Sequence, residues 1–284
     1  MGKNGWQERI FRARALANDY PFAAEILNFY CTIAEFQQSL YSRIEAAAAD
    51  NEDVRGGKGV SPVGSAPFVA GPPELSTLLA SFPEFLALVE NNGPPNLANA
   101  ARQLHSASNG VQTDLLNNFW DTPRSSSDDS TREASATNEF FARAFLQPYA
   151  EFTRLRAETP SDGYSGALCP FCGRKPGVAV LRPLGDGGQR RLICSFCLAE
   201  WEFRRLICAN CGEEDHKKLP VYTADQFPHI RVDCCDRCKR YLKTIDFTKT
   251  GLADPIVDEL ATIPLDLWAR DHGYEKLELN ILQL

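Results

Sequence analysis

Residues 192–212 read LICSFCLAEWEFRRLICANCG, and this stretch decides the fold of the second half of the chain. It holds two Cys-x-x-Cys turns, Cys194/Cys197 and Cys208/Cys211, each preceded by the same Leu-Ile dipeptide. Such a turn brings two thiolates to one ion at about 2.3 Å, and two turns complete a tetrahedron, as in zinc ribbons and rubredoxins. A third pair, Cys169/Cys172, lies upstream and a fourth, Cys235/Cys238, downstream, so the spacing predicts two four-sulfur sites. Sequential pairing leaves 21 residues between Cys172 and Cys194 and 23 between Cys211 and Cys235, room for a β-hairpin in each gap. Coupling the two middle pairs across ten residues leaves little room for one.

CPFCG at Cys169 is echoed by CANCG at Cys208, which marks the region as a duplicated module. Gly173 and Gly212 follow the second cysteine of their turns, where freedom from Cβ strain lets backbone N–H groups point at sulfur. Leu198 and Lys239 stand there in the other two turns, which we expect to be less regular.

Nine of the ten cysteines fall between Cys169 and Cys238. The first residues, MGKNGWQERIFRARALAND, have no apolar signal core, and no run of about eighteen apolar residues suggests a membrane span. We therefore expect a cytoplasmic protein whose cysteines hold metal rather than disulfides. The net charge of -7 argues against a general coat for nucleic acid. Ser165 to Lys249 is locally basic, with fifteen Lys and Arg against ten Asp and Glu. Eight bound thiolates with two divalent ions would nearly cancel that excess, so Arg190, Arg191, Arg204, Arg205, Lys239 and Arg240 are expected to balance the sites.

The first half reads as helical. Ile26, Phe29, Ile33, Phe36, Leu40 and Ile44 recur at steps of three and four, with Pro21 expected in the first turn of that helix and a short helix over 7–17 before it. Further helices are expected over 74–90, with a kink or break at Pro83, over 97–119 with Gly110 interrupting, and around Phe140, Phe141, Ala144, Phe145, Tyr149 and Phe152. These stripes are read as core faces, and 51–73 and 124–132 as loops. Strands are expected at Val178–Leu184, Trp201–Ile207 and Tyr241–Phe247. Asp254-Pro255 and Gly273 bracket two short helices on either side of Pro264.

The expected class is thus α+β: a helical domain (1–158), a linker (159–167), two tandem rubredoxin-like or zinc-ribbon modules (168–206 and 207–250) and a C-terminal helical extension (251–284). Cys234, next to Cys235, and Cys31, beside the helix stripe, are expected to be packed free thiols. His216 and His229 are less favoured substitutes for a cysteine ligand. No nucleophile elbow, phosphate loop or dinucleotide fingerprint is present, and a four-thiolate site offers no open position for activating water, so no enzymatic activity is expected.

The ordered set CPFCG, LICSFCLAEW, LICANCG and CDRCKRYLK, followed by PIVDELATIPLDLWARDHGY, resembles the FdhE accessory proteins of formate dehydrogenase maturation. RARALAND with Tyr20-Pro21 is similar as well. The sequence departs from the family pattern at Lys239, where glycine is common, and at Asp19-Tyr20, where a histidine is usual. The resemblance implies a non-enzymatic maturation factor of the bacterial cytoplasm, rubredoxin-like sites that bind iron, and the catalytic subunit of a molybdenum- or tungsten-containing formate dehydrogenase as partner. The sulfur spacing itself suits iron and zinc alike. A rubredoxin-like redox protein, a nucleic-acid-binding ribbon protein and, more distantly, a thiol-disulfide oxidoreductase are the alternatives.

Overall fold

The stripe from Ile26 to Ile44 falls on one helix, as its spacing requires, and buries that face from Phe29 onward. The computed structural model describes residues 3–50, 78–121, 132–157, 163–185 and 187–284. Its first helix, α1 (Lys3–Asp19), is longer than expected because Trp6 extends the buried face of Ile10, Ala13 and Leu16 by another turn. Pro21 opens a 3-10 turn (Pro21–Ala23), where a missing N–H costs nothing, and the chain runs on into α2 (Ala24–Asp50). The loop expected at 51–73, and the start of the helix expected from 74, lie outside the described residues.

Pro83 sits in the first turn of α3 (Phe82–Asn92) and so marks a helix start. The single helix expected over 97–119 is two, α4 (Pro95–Ser106) and α5 (Asn109–Asp121). The break falls at Ala107-Ser108 rather than at Gly110. There the Leu104 carbonyl accepts both the Ala107 N–H at 3.1 Å and the Gln112 side chain at 2.8 Å, which ties the start of α5 to the end of α4. Of the loop expected at 124–132 only Arg132 is described, and it opens α6 (Arg132–Arg156).

Pro148 lies inside α6 and cannot donate to Ala144. The fully buried Gln37 of α2 supplies the missing donor, its Nε2 standing 2.6 Å from the Ala144 carbonyl. Around this joint Phe36, Phe82, Phe85, Phe140, Phe141 and Phe145 form an aromatic cluster with ring centroids 4.8 to 6.4 Å apart. At about 2 to 3 kcal/mol for each buried ring, this packing dominates the helical half.

The second half is built on one seven-stranded sheet: β1 (Pro176–Leu184), β2 (Gly187–Cys194), β3 (Glu200–Glu202), β4 (Val221–Thr223), β5 (Ile230–Cys234), β6 (Arg240–Asp246) and β7 (Glu275–Lys276). Each inter-cysteine gap holds a hairpin, β1–β2 and β4–β5. The two ribbons are joined by parallel pairing of β1 with β6, Ala179 opposite Thr244, in the order β3-β2-β1-β6-β5-β4 with β7 beside β6.

The strand expected at Trp201–Ile207 is only β3. Beyond it Arg190 Nη1 takes the Ile207 carbonyl at 3.0 Å and lies 3.4 Å from that of Arg204, while Leu206 turns to φ +55, so the chain leaves the sheet. The helices α7 (Pro255–Ala261) and α8 (Ile263–Asp271) follow β6 as expected: Asp254 caps the first through the N–H groups of Ile256 and Val257, and Gly273 at φ +78 follows the second. Among the described residues no helix is long and apolar enough to cross a membrane.

Candidate metal centres

The sheet gathers the eight paired cysteines at two points. Cys169, Cys172, Cys194 and Cys197 form one cluster and Cys208, Cys211, Cys235 and Cys238 the other, with the sulfurs of each all within 4.8 Å of one another. The pairing is the sequential one, because each hairpin returns the chain to its own starting turn.

In the first cluster Cys169 Sγ lies 3.5 Å from Cys197 Sγ, and Cys172 Sγ 3.3 Å from Cys194 Sγ. In the second, Cys208–Cys238 and Cys211–Cys235 are both 3.7 Å. A tetrahedron of sulfurs about 2.3 Å from an ion has edges of about 3.8 Å, so both clusters have the size that a four-coordinate ion requires. All ten cysteines are free thiols.

The four turns are built alike, in contrast to the expectation that two would be less regular. Residues 173, 198, 212 and 239 all have left-handed backbone, with φ of +67, +55, +70 and +55. Cys169, Cys194, Cys208 and Cys235 each donate their N–H to the carbonyl five residues on. Phe171, Phe196 and Asn210 aim theirs at the first sulfur of their turns, each at 3.4 Å. The turn fixes the conformation, and Leu198 and Lys239 accept it against a Cβ clash that glycine avoids.

Electrostatics ask for a cation. Burial pushes the Cys169 and Cys197 thiols up, whereas hydrogen bonds from neighbouring thiols, Cys169 first, hold Cys172 down. In the second cluster burial raises Cys208 and Cys235, while Cys238, also raised by burial, is brought below its ordinary value chiefly by the Asn210 side chain. Four thiolates brought this close together need a positive ion between them.

The clusters sit in different surroundings. Cys169, Cys194 and Cys197 belong to the same continuous core as the helices. Phe196, inside the second turn, packs edge-on against Phe119 and Trp120 of α5 at 5.1 and 5.9 Å. Arg154 of α6 donates to the Cys197 carbonyl at 3.1 Å, and buried Arg174 donates to the Phe119 carbonyl while lying 4.0 Å from the Phe119 ring. In the second cluster only Cys235 is buried, and the other three cysteines are half-buried.

Most of the basic residues expected to balance the sites are held by other groups. Arg191 pairs with Glu200 and Glu202, Arg204 with Glu214, Lys239 with Asp236, Arg240 with Glu275 and Arg190 with Asp233. Arg205 reaches the Gly188 carbonyl. Arg174 and Arg154 are the cations that approach the first centre, and the place of Arg174 directly after the first turn was the signal for it.

Cys234 and Cys31 are buried thiols outside both clusters, and burial pushes Cys234 up to about 12. Neither histidine joins a cluster: His216 is exposed, and His229 Nε2 lies 2.8 Å from Asp258. Asp258, 1% exposed, also takes both arms of Arg12 from α1, at 2.6 and 2.9 Å. Next to it Glu259 binds Lys243, Lys276 and Asn280, and Asp266 binds Lys243, Lys276 and Tyr241. Sequence reasoning read PIVDELATIPLDLWARDHGY for its helix ends and its family resemblance; the two consecutive acids on an otherwise apolar helix were the signal for this network.

The order and spacing of the four turns can now be set beside known proteins. A 284-residue alignment at 30% identity covers 97% of this chain and 95% of the Protein FdhE homolog of Aquifex aeolicus (strain VF5). The chain belongs to the FdhE family. Family models match accordingly, the FdhE central domain over residues 168–205 and the FdhE C-terminal domain over 206–283. The Protein FdhE homolog of Proteus mirabilis (strain HI4320) is 26% identical, covering 99% of this chain and 88% of that one. The crystal structure of the FdhE protein from Pseudomonas aeruginosa shares the fold at a TM-score of 0.67 and 23% identity, over 100% of this chain and 97% of the other. The α+β class, with helices first and two four-cysteine clusters on a sheet, is therefore that of the FdhE family.

Proposed function

We propose that this protein is a non-catalytic accessory factor for formate dehydrogenase maturation, cytoplasmic, loaded with one iron or zinc ion at each four-cysteine centre and binding the enzyme's catalytic subunit. Cys169, Cys172, Cys194 and Cys197 would hold one ion, and Cys208, Cys211, Cys235 and Cys238 the other. The division into a helical unit (1–158), ribbon modules (168–206 and 207–250) and a C-terminal extension (251–284) belongs to the same proposal.

The observation that carries it is the closure of both centres. Among the described residues each cluster is made of four sulfurs and nothing else, so a bound ion would order the chain and leave no position for substrate. Family membership supports formate dehydrogenase as the client. Affinity purification from cells making formate dehydrogenase at native levels should recover its catalytic subunit, and persistent failure to do so removes the proposal.

A redox role is the second reading, favoured by the half-exposure of Cys208, Cys211 and Cys238, which brings the second centre within reach of a partner's surface. It requires iron. Anaerobically purified protein should then absorb visible light as rubredoxins do, and a colourless zinc-only protein would end that reading. The carboxylate partners of the arginines speak against nucleic acid, which needs unpaired cations.

A further inference from the structure

The sheet has two edges, and they are finished differently. At one end β3 carries Glu200 and Glu202, held by Arg182 and Arg191, and its Trp201 donates the indole N–H to the Gly166 carbonyl. At the other end β4 is Val221-Tyr222-Thr223, uncharged and exposed at all three residues. The N–H of Cys234 donates to the Pro220 carbonyl, which makes 220/234 and 222/232 the hydrogen-bonded pairs of the β4–β5 ladder. The N–H and C=O groups of Val221 and Thr223 therefore point away from β5, into solvent. Natural edge strands usually carry a charge, a proline or a bulge against pairing with other chains. Within β4 there is none.

The surroundings of this edge are specific on both faces. Val221 lines an open cleft of about 100 Å³, together with Leu206, Arg190, Arg205, Arg231 and Arg240, where Asp233 pairs with Arg190 and Arg231 and Glu275 with Arg240. Arg190 is 6% exposed. The second metal centre borders the cleft through Cys208 and Cys235, and Arg205, held by the Gly188 carbonyl rather than by a carboxylate, offers the cleft's cation to an incoming acid. On the opposite face Tyr222 packs on Trp268 at 4.6 Å, and Trp268 stacks on His272 at 4.2 Å. Large aromatic rings of this kind are the usual anchors of protein interfaces.

We propose that β4 receives an extended segment of a partner polypeptide, added as a further strand at the free edge. Side chains of an added strand alternate between the two faces. An acidic side chain enters the arginine cleft, and its neighbour, apolar or aromatic, lies on Tyr222 and Trp268. The surface is argued from the sheet itself; the accessory-factor reading supplies only the identity of the partner.

A displayed library of random twelve-residue peptides, selected against the metal-loaded full chain, tests this. The expected result is enrichment of sequences that alternate acidic with apolar residues. Thr223→Pro removes the outward N–H but no ladder bond to β5, and should weaken the selected peptides about tenfold with metal content and circular dichroism unchanged. Arg231→Glu, which leaves the edge backbone intact, should weaken them as much and be rescued when the peptide's Glu is replaced by Lys. No enrichment, or selected peptides that bind both variants as tightly as the parent, overturns the proposal. So does a dimer in sedimentation that Thr223→Pro dissociates, since a second copy would then cover the edge. If Thr223→Pro and Arg231→Glu still recover the catalytic subunit in full, this surface falls and the accessory-factor reading stands.

Discussion

The two four-cysteine centres use one turn and one set of backbone hydrogen bonds, yet the first is sunk in the main core and the second has three of its four cysteines only half-buried. Identical local chemistry has been placed under two different mechanical demands. The first centre is where the helices meet the sheet, through Phe196, Arg154 and Arg174. The second organises the β4–β5–β6 ribbon and leaves its surroundings accessible. The difference lies in what packs around each turn, so it is testable one residue at a time.

The largest effect is expected from breaking the two centres separately. Cys197→Ser should lose the first ion together with helical docking, a large part of the roughly 10 kcal/mol that a structural sulfur site can contribute, and should yield protein with lowered helicity or none in soluble form. Cys238→Ser should lose one ion and keep a cooperative helical melt. Metal content and far-UV circular dichroism on both variants decide this, and equal damage from the two would remove the contrast.

Asp258→Asn comes next, at about 3 kcal/mol, because it leaves Arg12 without its bidentate partner and His229 without its carboxylate. Burial raises the Asp258 carboxyl, but hydrogen bonds from Arg12 and His229 outweigh it and hold the group below the ordinary aspartate range. Its contribution is therefore fully present above the unfolded value of about 3.9 and is lost as pH falls through the lower folded value. Denaturant midpoints from pH 6 down to pH 3 should show that acid limb in the parent and a shallower one in the variant.

Arg174→Met should cost about 2 kcal/mol, through the orphaned Phe119 carbonyl and the lost ring contact, and should speed metal loss from the first centre only. The smallest effect runs the other way. Leu198→Gly and Lys239→Gly should each stabilise by about 1 kcal/mol by relieving left-handed backbone, one in each centre, as read by thermal melts.

Much of the candidate site was legible in the sequence because cysteine spacing is a covalent constraint: the gaps of 21 and 23 residues favour sequential pairing over coupling of the two middle pairs. The helix stripes were legible for a similar reason, since Phe29 to Ile44 repeat with the period of one face. What was not legible depends on contacts distant in sequence. The parallel pairing of Ala179 with Thr244 fuses the two ribbons, and nothing local to either strand announces it. Trp201–Ile207 has strand-like composition, but a side chain seventeen residues back, Arg190, takes the Ile207 carbonyl. Arg174 and Asp258 were overlooked because a charge reads as surface until its partners are known.

The most direct test of the account is removal of metal by a chelator from anaerobically purified protein, followed simultaneously by released ion and by helical signal. The account predicts two ions per chain: one released rapidly from the half-exposed centre with helicity intact, and one released slowly in step with loss of helical structure. Fewer than two ions, or both leaving at one rate without any change in the helices, would contradict it.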